Sequence, residues 1–224
     1  IALAAASTVP SLGLACACGC GIFDVGTSAM FAGHAGGMVF AEYDYLDQSH
    51  NWHDTSSAPA ADNEDKAIGS TFITLGGQYQ FNRSWGLTVE VPYWHRYFQT
   101  TDEVSGQIVE FTHGAAGDIR IKGTYSGFSA DMSTGLSLGL KLANGETDYP
   151  GFDADTQIGS GSTDLLLGAY HLGRLTADQR WSYYLQAQWD QPVAHRGNYR
   201  PGAEGVAVFG TYFEGWSTHA SVKF

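Results

Sequence analysis

The sequence predicts an all-β protein, an antiparallel up-and-down transmembrane β-barrel with about eight strands. Three observations lead to this fold class. From residue 39 onward, apolar side chains recur at every second position rather than at helical spacing. The opposite face of the same segments carries Thr, Gln and charged residues. The connections between segments alternate between long and short, as they do in outer-membrane barrels.

Five segments carry the alternation most clearly: residues 70–81, 85–93, 118–125, 133–142 and 181–189, with a first strand expected at 39–48. In residues 70–81, Ile73, Leu75 and Tyr79 alternate with Thr74 and Gln78. Each segment is about as long as a tilted strand that crosses a bilayer. We therefore expect an apolar face toward lipid and a polar face toward the barrel interior.

The connections sort by length along the chain. Those at residues 49–69, 100–113, 144–161 and 194–203 are long, and those at 82–84, 127–132 and 174–179 are shorter. A soluble β-sandwich would turn its polar face outward, and its loop lengths would have no reason to alternate. The pattern favours long loops outside the cell and short turns on the periplasmic side.

The composition agrees with a rigid, aromatic-rich β structure. Charged residues make up only 15% of the 224 residues, aromatic residues make up 13%, and glycine occurs 29 times. This aromatic content disfavours intrinsic disorder. The net charge of −12 and the pI near 4.8 argue against nucleic-acid binding, which needs a basic surface.

Aromatic residues lie near the ends of the predicted strands, where interfacial girdles belong. The last residues, 216–224, alternate in polarity and stop at Phe224. They resemble the carboxyl-terminal strand that the outer-membrane assembly machinery recognises. A turn at Glu214-Gly215 would give a ninth strand, whereas one strand over 206–224 would leave eight; the unbroken apolar phase favours the single strand.

The amino end divides into two parts before the barrel at 39–224. Residues 1–17 are uncharged and resemble the remnant of a secretory signal peptide, and residues 18–38 form a Cys/Gly-rich segment. Cys16, Cys18 and Cys20 leave three readings open: a lipid-modified Cys16, a soft-metal thiolate site, or no defined function. His50 and His53, in the first long loop, form a second candidate metal pair.

The interior offers the main functional argument. Polar residues from different strands are predicted to line the lumen and set its selectivity: Glu42, Asp44, Glu90, Asp118, Arg120, Lys122, Lys141, Gln186, Gln188 and Asp190. Buried charges need partners or water. In an eight-strand barrel they would fill the interior, whereas in a ten- or twelve-strand barrel, expected if the chain is longer, they would line a narrow aqueous path.

Four segments resemble a known family: residues 117–125, 139–142, 159–170 and 199–202, with Gly-Asp-aliphatic and Gly-Ser-x-Asp openings to strands. They resemble the outer-membrane β-barrel family named after the meta-cleavage pathway of phenol degradation. The resemblance covers about residues 70–216. It implies location in the cell outer membrane and transport of small solutes, with aromatic or hydrophobic ones suggested by the family name. It implies no particular site residues.

We therefore expect a passive channel or transporter for small solutes, in contact with outer-membrane lipid and lipopolysaccharide. One alternative is a closed structural or surface-interaction barrel with acidic extracellular loops. Another is a metal-handling barrel that uses the run from Cys16 to Cys20. The sequence contains no Gly-x-Ser-x-Gly elbow, so we expect no enzyme, no catalytic residues and no cofactor.

Overall fold

The computed structural model describes residues 35–53, 56–59, 65–102, 104–178, 180–217 and 220–223. Within these ranges the regular elements are strands, and no helix has the length and apolar character to span a membrane. The strands are β1 (Gly36–Gln48), β2 (Asn51–His53), β3 (Ser56–Ala58), β4 (Asp65–Gln80), β5 (Trp85–Thr101), β6 (Ile108–Ala116), β7 (Arg120–Tyr125), β8 (Thr134–Lys141), β9 (Ser162–Arg174), β10 (Trp181–His195), β11 (Glu204–Ser217) and β12 (Ala220–Lys223).

The main sheet runs through the chain in sequence order, and every neighbouring pair is antiparallel. Its order is β1-β4-β5-β7-β8-β9-β10-β11-β12, and β6 pairs with β5 beside β7. Because β6 and β7 share one partner, they act as a single interrupted strand. The sheet therefore has eight long strand positions and curls strongly, which confirms the predicted all-β, up-and-down architecture. The separate β2–β3 hairpin belongs to the connection from β1 to β4.

We call the end of the sheet where β1 finishes and β4 begins its upper end. Residues 49–64, 102–107, 142–161 and 196–203 connect strands there, and residues 81–84, 126–133 and 175–180 connect them at the lower end. Most of the predicted sorting by length is present. The predicted long connection at 100–113 is wrong, because β5 continues to Thr101 and β6 begins at Ile108. These strand ends carry polar residues, a composition typical of a loop. Gln99 and Glu110, for example, pair across the two strands, and their side chains hydrogen-bond at 2.7 Å.

The carboxyl-terminal prediction of one strand over 206–224 is also wrong. β11 ends at Ser217, and β12 returns along it with Ser217 in register with Ala220. The register places the reversal after Ser217 rather than at Glu214-Gly215. The period-2 pattern continues through residues 206–224, so the sequence could not show the reversal. The return strand pairs with the lower end of β11, from Tyr212 to Ser217.

The hydrophobic core lies on the concave side of the sheet, toward its upper end. Ile68 and Phe72 of β4 and Trp94 and Phe98 of β5 point inward there. The long connection at residues 142–161 folds into the concavity and packs against them. We call this segment the inner loop.

Candidate pore interior

The two faces of the sheet have inverted polarity relative to a soluble protein. On the convex face, Val39 is 87% exposed, Leu138 59% and Phe209 65%. On the concave face, Lys122 is 4% exposed and Asp190 6%. Soluble domains bury aliphatic residues and expose charges. A surface of this kind is typical of a protein surrounded by an apolar medium.

Aromatic side chains form two rows on the convex face. Trp85 and Tyr93 bound one stretch of β5, and Trp181 and Trp189 bound one stretch of β10, about 26 Å along each strand. Rings at the lower row contact their neighbours: Trp85 and Tyr125 have centroids 4.8 Å apart. Because barrel strands tilt by about 35–45°, this length spans a height of about 20 Å, somewhat less than the apolar band of about 25 Å in transmembrane barrels.

The convex face of β5 changes character along its length. Its lower outward residues, Leu87, Val91 and Tyr93, are apolar or aromatic and exposed. Its upper outward residues are His95, Tyr97 and Gln99. The change lies beside residues 117–119, where β6 gives way to β7. The apolar stretch at 85–93 thus has about the length of one membrane crossing, although the whole strand is 17 residues long.

Charged groups form a row across the middle of the concave face. Glu90, Arg120, Lys141 and Asp164 are consecutive register partners on β5, β7, β8 and β9. Lys141 forms an ion pair with Asp164, and Lys122 Nζ lies 3.1 Å from Glu90 Oε1. The lysine side chains are at most 5% exposed. The ammonium groups of Lys122 and Lys141 are thus neutralised locally.

The neighbouring wall is acidic and amide-rich on β10, whereas the inward row of β11 has one carboxylate, Glu204, followed by Val206 and Val208. Asp190 is in register with Glu204. Gln188 Nε2 donates to Asp190 Oδ1 at 2.9 Å. Gln186 lies further down the same inward row of β10. Over the whole concave face, carboxylates outnumber cations: Glu42, Asp44, Glu90, Asp118, Asp164, Asp190 and Glu204 against Arg96, Arg120, Lys122 and Lys141.

The wall formed by β1 and β4 carries inward polar groups with few protein partners. Asp44 Oδ2 and Gln78 Oε1 are buried, yet they accept no hydrogen bond from the residues that the structure describes. Buried polar atoms are normally paired with protein or with ordered water. The arrangement is therefore suited to a hydrated interior along this wall.

The inner loop is attached at its base by Asp118. Asp118 Oδ1 accepts a hydrogen bond from Gly145 N at 2.8 Å, and its Oδ2 accepts from Ser160 N at 2.7 Å and Ser160 Oγ at 2.6 Å. Gly159 N donates to Glu146 O at 2.6 Å. A Cβ on Gly159 would lie only 2.5 Å from the carbonyl carbon of Gly145, so the two stems require glycine.

Arg96 holds the far part of the inner loop. Its Nη1 donates to the carbonyl oxygens of Thr156 and, at 3.3 Å, Gln157. Its Nε donates to Ser70 Oγ at 2.9 Å. Its guanidinium carbon lies 5.1 Å from the ring centroid of Trp94, within cation–π range. Arg96 is 0% exposed, so its charge is directed at protein groups rather than at open lumen.

A third attachment joins the inner loop to β6. His113 Nε2 lies 2.9 Å from Glu146 Oε2. The His113 ring stacks on Tyr149, with centroids 3.9 Å apart and planes 8° apart. Phe152 packs edge-on against Phe98 at 6.0 Å between centroids. The loop is thus fixed at its base, its side and its tip.

The structure places the predicted lumen residues on the concave face, in two groups. Glu90, Asp118, Lys122 and Lys141 form the ion pairs and loop contacts described above. The others lie on the inward rows of β1, β7 and β10, where Gln188 and Asp190 hydrogen-bond to each other: Glu42, Asp44, Arg120, Gln186, Gln188 and Asp190.

Sequence reasoning missed Arg96, Asp164 and Glu204 as inward charges. Arg96 continues the inward series of Thr88 and Glu90 at even positions. That parity could have identified it, had the strand been extended past Tyr93. Asp164 and Glu204 stand at the openings of β9 and β11, whose bounds the sequence did not define.

The candidate metal groups are not brought together in the described part of the chain. Cys16, Cys18 and Cys20 lie outside the described residues. His50 is exposed and lies within hydrogen-bond range of Ser49, with 3.2 Å between Ser49 Oγ and His50 Nδ1. His53 ends β2, and its side chain lies outside the described set. Among described residues, no cluster of three or more His, Cys, Asp or Glu could hold a metal ion.

Comparison with known proteins gives no family assignment. The chain matches no family model, and no curated protein is significantly similar to it in sequence.

Proposed function

We propose that this protein is an outer-membrane β-barrel that acts as a passive channel for small solutes. The inverted polarity of the curled sheet carries the proposal: exposed aliphatic side chains such as Leu138 cover one face, and charged ones such as Lys122 and Asp190 cover the other. Soluble monomers rarely expose large contiguous apolar patches, so an exposed apolar face along a whole sheet is unusual for a protein surrounded by water. In a bilayer, it is the face that lipid requires.

Two further observations support membrane placement. The aromatic rows on β5 and β10 match the girdles at the two interfaces of a bilayer. The outward face of β5 becomes polar above Tyr93, at the height where an apolar medium would end. The sequence resemblance to the meta-cleavage outer-membrane family points to the same location and to small, aromatic or hydrophobic solutes.

The distribution of interior polar groups supports a hydrated path rather than a uniformly filled core. On β7–β9 the charges are paired, but on β1 and β4 the atoms Asp44 Oδ2 and Gln78 Oε1 have no hydrogen-bond partner among described residues. Gln186, Gln188 and Asp190 line β10, and Glu204 lies opposite Asp190 at the start of β11. A narrow aqueous route along the β1, β10 and β11 side is consistent with this asymmetry.

Single-channel recording in planar bilayers tests the proposal. The purified, refolded 224-residue chain should give discrete current steps whose size rises with salt concentration. Folding is checked beforehand by β-type circular dichroism and by heat-dependent mobility on gels. A folded protein that inserts into the bilayer and carries no current would refute the channel.

The second candidate is a closed barrel that acts through its surface loops. The inner loop favours it, because Phe152 and Ile158 occupy the upper concave space and leave less room for solutes. The ion pairs at Glu90–Lys122 and Asp164–Lys141 add to the filling. If folded protein inserted into the bilayer and carried no current, this second function would be favoured. We would then expect the loops to contact lipopolysaccharide and external ligands.

A further inference from the structure

We infer that the inner loop is a fixed constriction of the channel and that Arg96 is the positioning residue that seats it. This inference rests on the proposed channel function and adds what limits the size of the solute. It separates two sets of interior charges. One set, which includes Arg120 and Asp190, faces the lumen; Arg96 instead acts on the shape of the pore.

The inner loop lies inside the curled sheet. Phe152 is 7% exposed and Ile158 3%, and both pack against inward side chains of β4 and β5. A loop that folded outward would leave these residues in solvent. The loop therefore occupies cross-section that the curled sheet would otherwise leave open at its upper end.

The groups that face position 96 require an arginine there. The returning arm of the loop, just before the Gly159 stem, presents the carbonyl oxygens of Thr156 and Gln157 toward β5. These oxygens are removed from water and need donors. A guanidinium carries several N–H groups in a rigid fork, so one side chain satisfies both carbonyls and also reaches Ser70 Oγ.

The inner loop is a discrete unit with a closed stem. Gly145 and Gly159 are in contact, and Gly159 N donates to Glu146 O at 2.6 Å. Within the loop, Gln157 Nε2 donates to the carbonyls of Tyr149 and Phe152 at 3.0 and 2.7 Å. Residues 147–158 can therefore be removed and the stem rejoined by a short Asn-Gly turn without moving β8 or β9.

The experiment compares pore size and ion preference in four variants. These are Arg96→Gln, Arg96→Lys, the excision of residues 147–158, and the excision combined with Arg96→Gln. Pore size is measured as the largest polyethylene glycol that still lowers the single-channel current. Ion preference is measured as the reversal potential in asymmetric potassium chloride.

Arg83→Gln is the matched control. Arg83 also donates to a backbone carbonyl, from Nη2 to Ala130 O at 2.8 Å, but at the lower end of the sheet. It should leave both measurements at their wild-type values. Arg120→Gln provides the converse comparison: it should shift the reversal potential and leave the polymer limit unchanged, because the register partners of Arg120 are Glu90 and Lys141 in the row of charges.

The excision and Arg96→Gln should each admit larger polymers than the wild-type channel. Arg96→Lys should fall between them and the wild type, since an ammonium replaces only part of the fork. In the excised background, Arg96→Gln should not raise the polymer limit further. An unchanged limit after excision would overturn the constriction, and an unchanged limit in Arg96→Gln alone would overturn the function of Arg96.

Chymotrypsin cleavage at Tyr149 and Phe152 gives a second readout that needs no current. In folded protein these sites should be cut faster in Arg96→Gln than in the wild type or Arg83→Gln. Equal cleavage rates would contradict seating by Arg96. If the wild-type bilayer is silent, the channel proposal fails by itself, and the cleavage result alone decides whether Arg96 seats the loop.

Discussion

Asp118 shows how an inward carboxylate can act on structure. Both of its oxygens are occupied by groups at the base of the inner loop, Gly145 N and Ser160 N and Oγ. Hydrogen bonds to a charged acceptor are stronger than neutral ones. The sequence predicts this residue as lumen-lining, and its geometry assigns it to anchoring the loop.

Asp118→Ala should destabilise the protein by about 3 kcal/mol, because it leaves buried donors at Gly145 and Ser160 without their acceptor. Urea unfolding in lipid vesicles, followed by tryptophan fluorescence, measures the loss. Asp148→Ala, an exposed carboxylate on the same loop, should unfold at the wild-type denaturant concentration. Equal unfolding midpoints for the two variants would contradict the anchoring function.

The Glu90–Lys122 pair is the second residue-level test. The two side chains are 10% and 4% exposed, so removing the Lys122 ammonium takes away a buried positive charge 3.1 Å from the Glu90 carboxylate. Lys122→Met should cost about 3–5 kcal/mol, and the double variant Glu90→Gln, Lys122→Met should recover part of that loss. A double-mutant cycle in the same unfolding assay measures the coupling. Additive single losses would show that the pair contributes no coupling.

Asp131, in the lower connection between β7 and β8, makes a pH prediction. Hydrogen bonds from Ser133 and Ser129 lower the pKa of its carboxyl group from 3.8 to about 2. A folded-state pKa below the unfolded one stabilises the fold above pH 3.8, and this contribution is lost as the pH falls through about 2.

A carboxyl-detected NMR titration should place the Asp131 midpoint near 2 in the wild type, and Ser133→Ala should move it toward 3.8. A Ser133→Ala midpoint unchanged from the wild type would contradict the assigned cause.

Among the elements, β5 shows both what sequence can predict and where it stops. The period-2 pattern identified its lower part, because aliphatic residues alternate with Thr88 and Glu90 there. In the upper part, Trp94 and Phe98 face inward together with Arg96, and His95 and Gln99 face outward. The alternation of faces persists, but polarity no longer identifies the inward face, because aromatic residues there pack against the inner loop.

The inner loop could not be predicted for a related reason. Residues 144–161 read as a polar connection with scattered aromatics, and nothing local indicates that Phe152 and Ile158 meet residues of β4 and β5 far away in sequence. Its anchors, Asp118 and Arg96, are long-range as well. Strand faces are local and were accessible to sequence reasoning, whereas the loop's direction depends on tertiary packing.

The apolar character of the convex face can be tested by placing a charge on it. Leu138→Arg on β8 should cost about 2–4 kcal/mol in lipid vesicles, because it places a cation in the apolar band. Ala154→Arg, on the exposed part of the inner loop, should cost much less. Vesicle unfolding measures both. If Leu138→Arg is as stable as Ala154→Arg, that face does not contact hydrocarbon.

Over the whole molecule, the interior charge is acidic even though its basic wall is paired. Among the inward residues named above, carboxylates outnumber cations, also when Arg120 is counted with Lys122 and Lys141. A lumen of that sign would attract cations and repel anions. The proposed channel should therefore pass potassium in preference to chloride.

The double variant Asp190→Asn, Glu204→Gln should reduce that preference, since it removes two register-paired carboxylates from one wall. The reversal potential in asymmetric potassium chloride is the measurement, and Asp148→Asn serves as the control at an exposed loop position. An anion-preferring wild type, or a double variant with the wild-type reversal potential, would contradict the charge assignment.

The interruption between β6 and β7 has one more consequence for the molecule as a whole. Above it, β5 and β6 continue as a polar hairpin to a tip where Val104 is 96% exposed. In the proposed outer-membrane placement, that hairpin would stand clear of the lipid headgroups and be accessible to antibodies and phages. Because insertions are best tolerated at exposed tips, a short peptide tag placed beside Val104 should be labelled on intact cells, making this hairpin a natural display site.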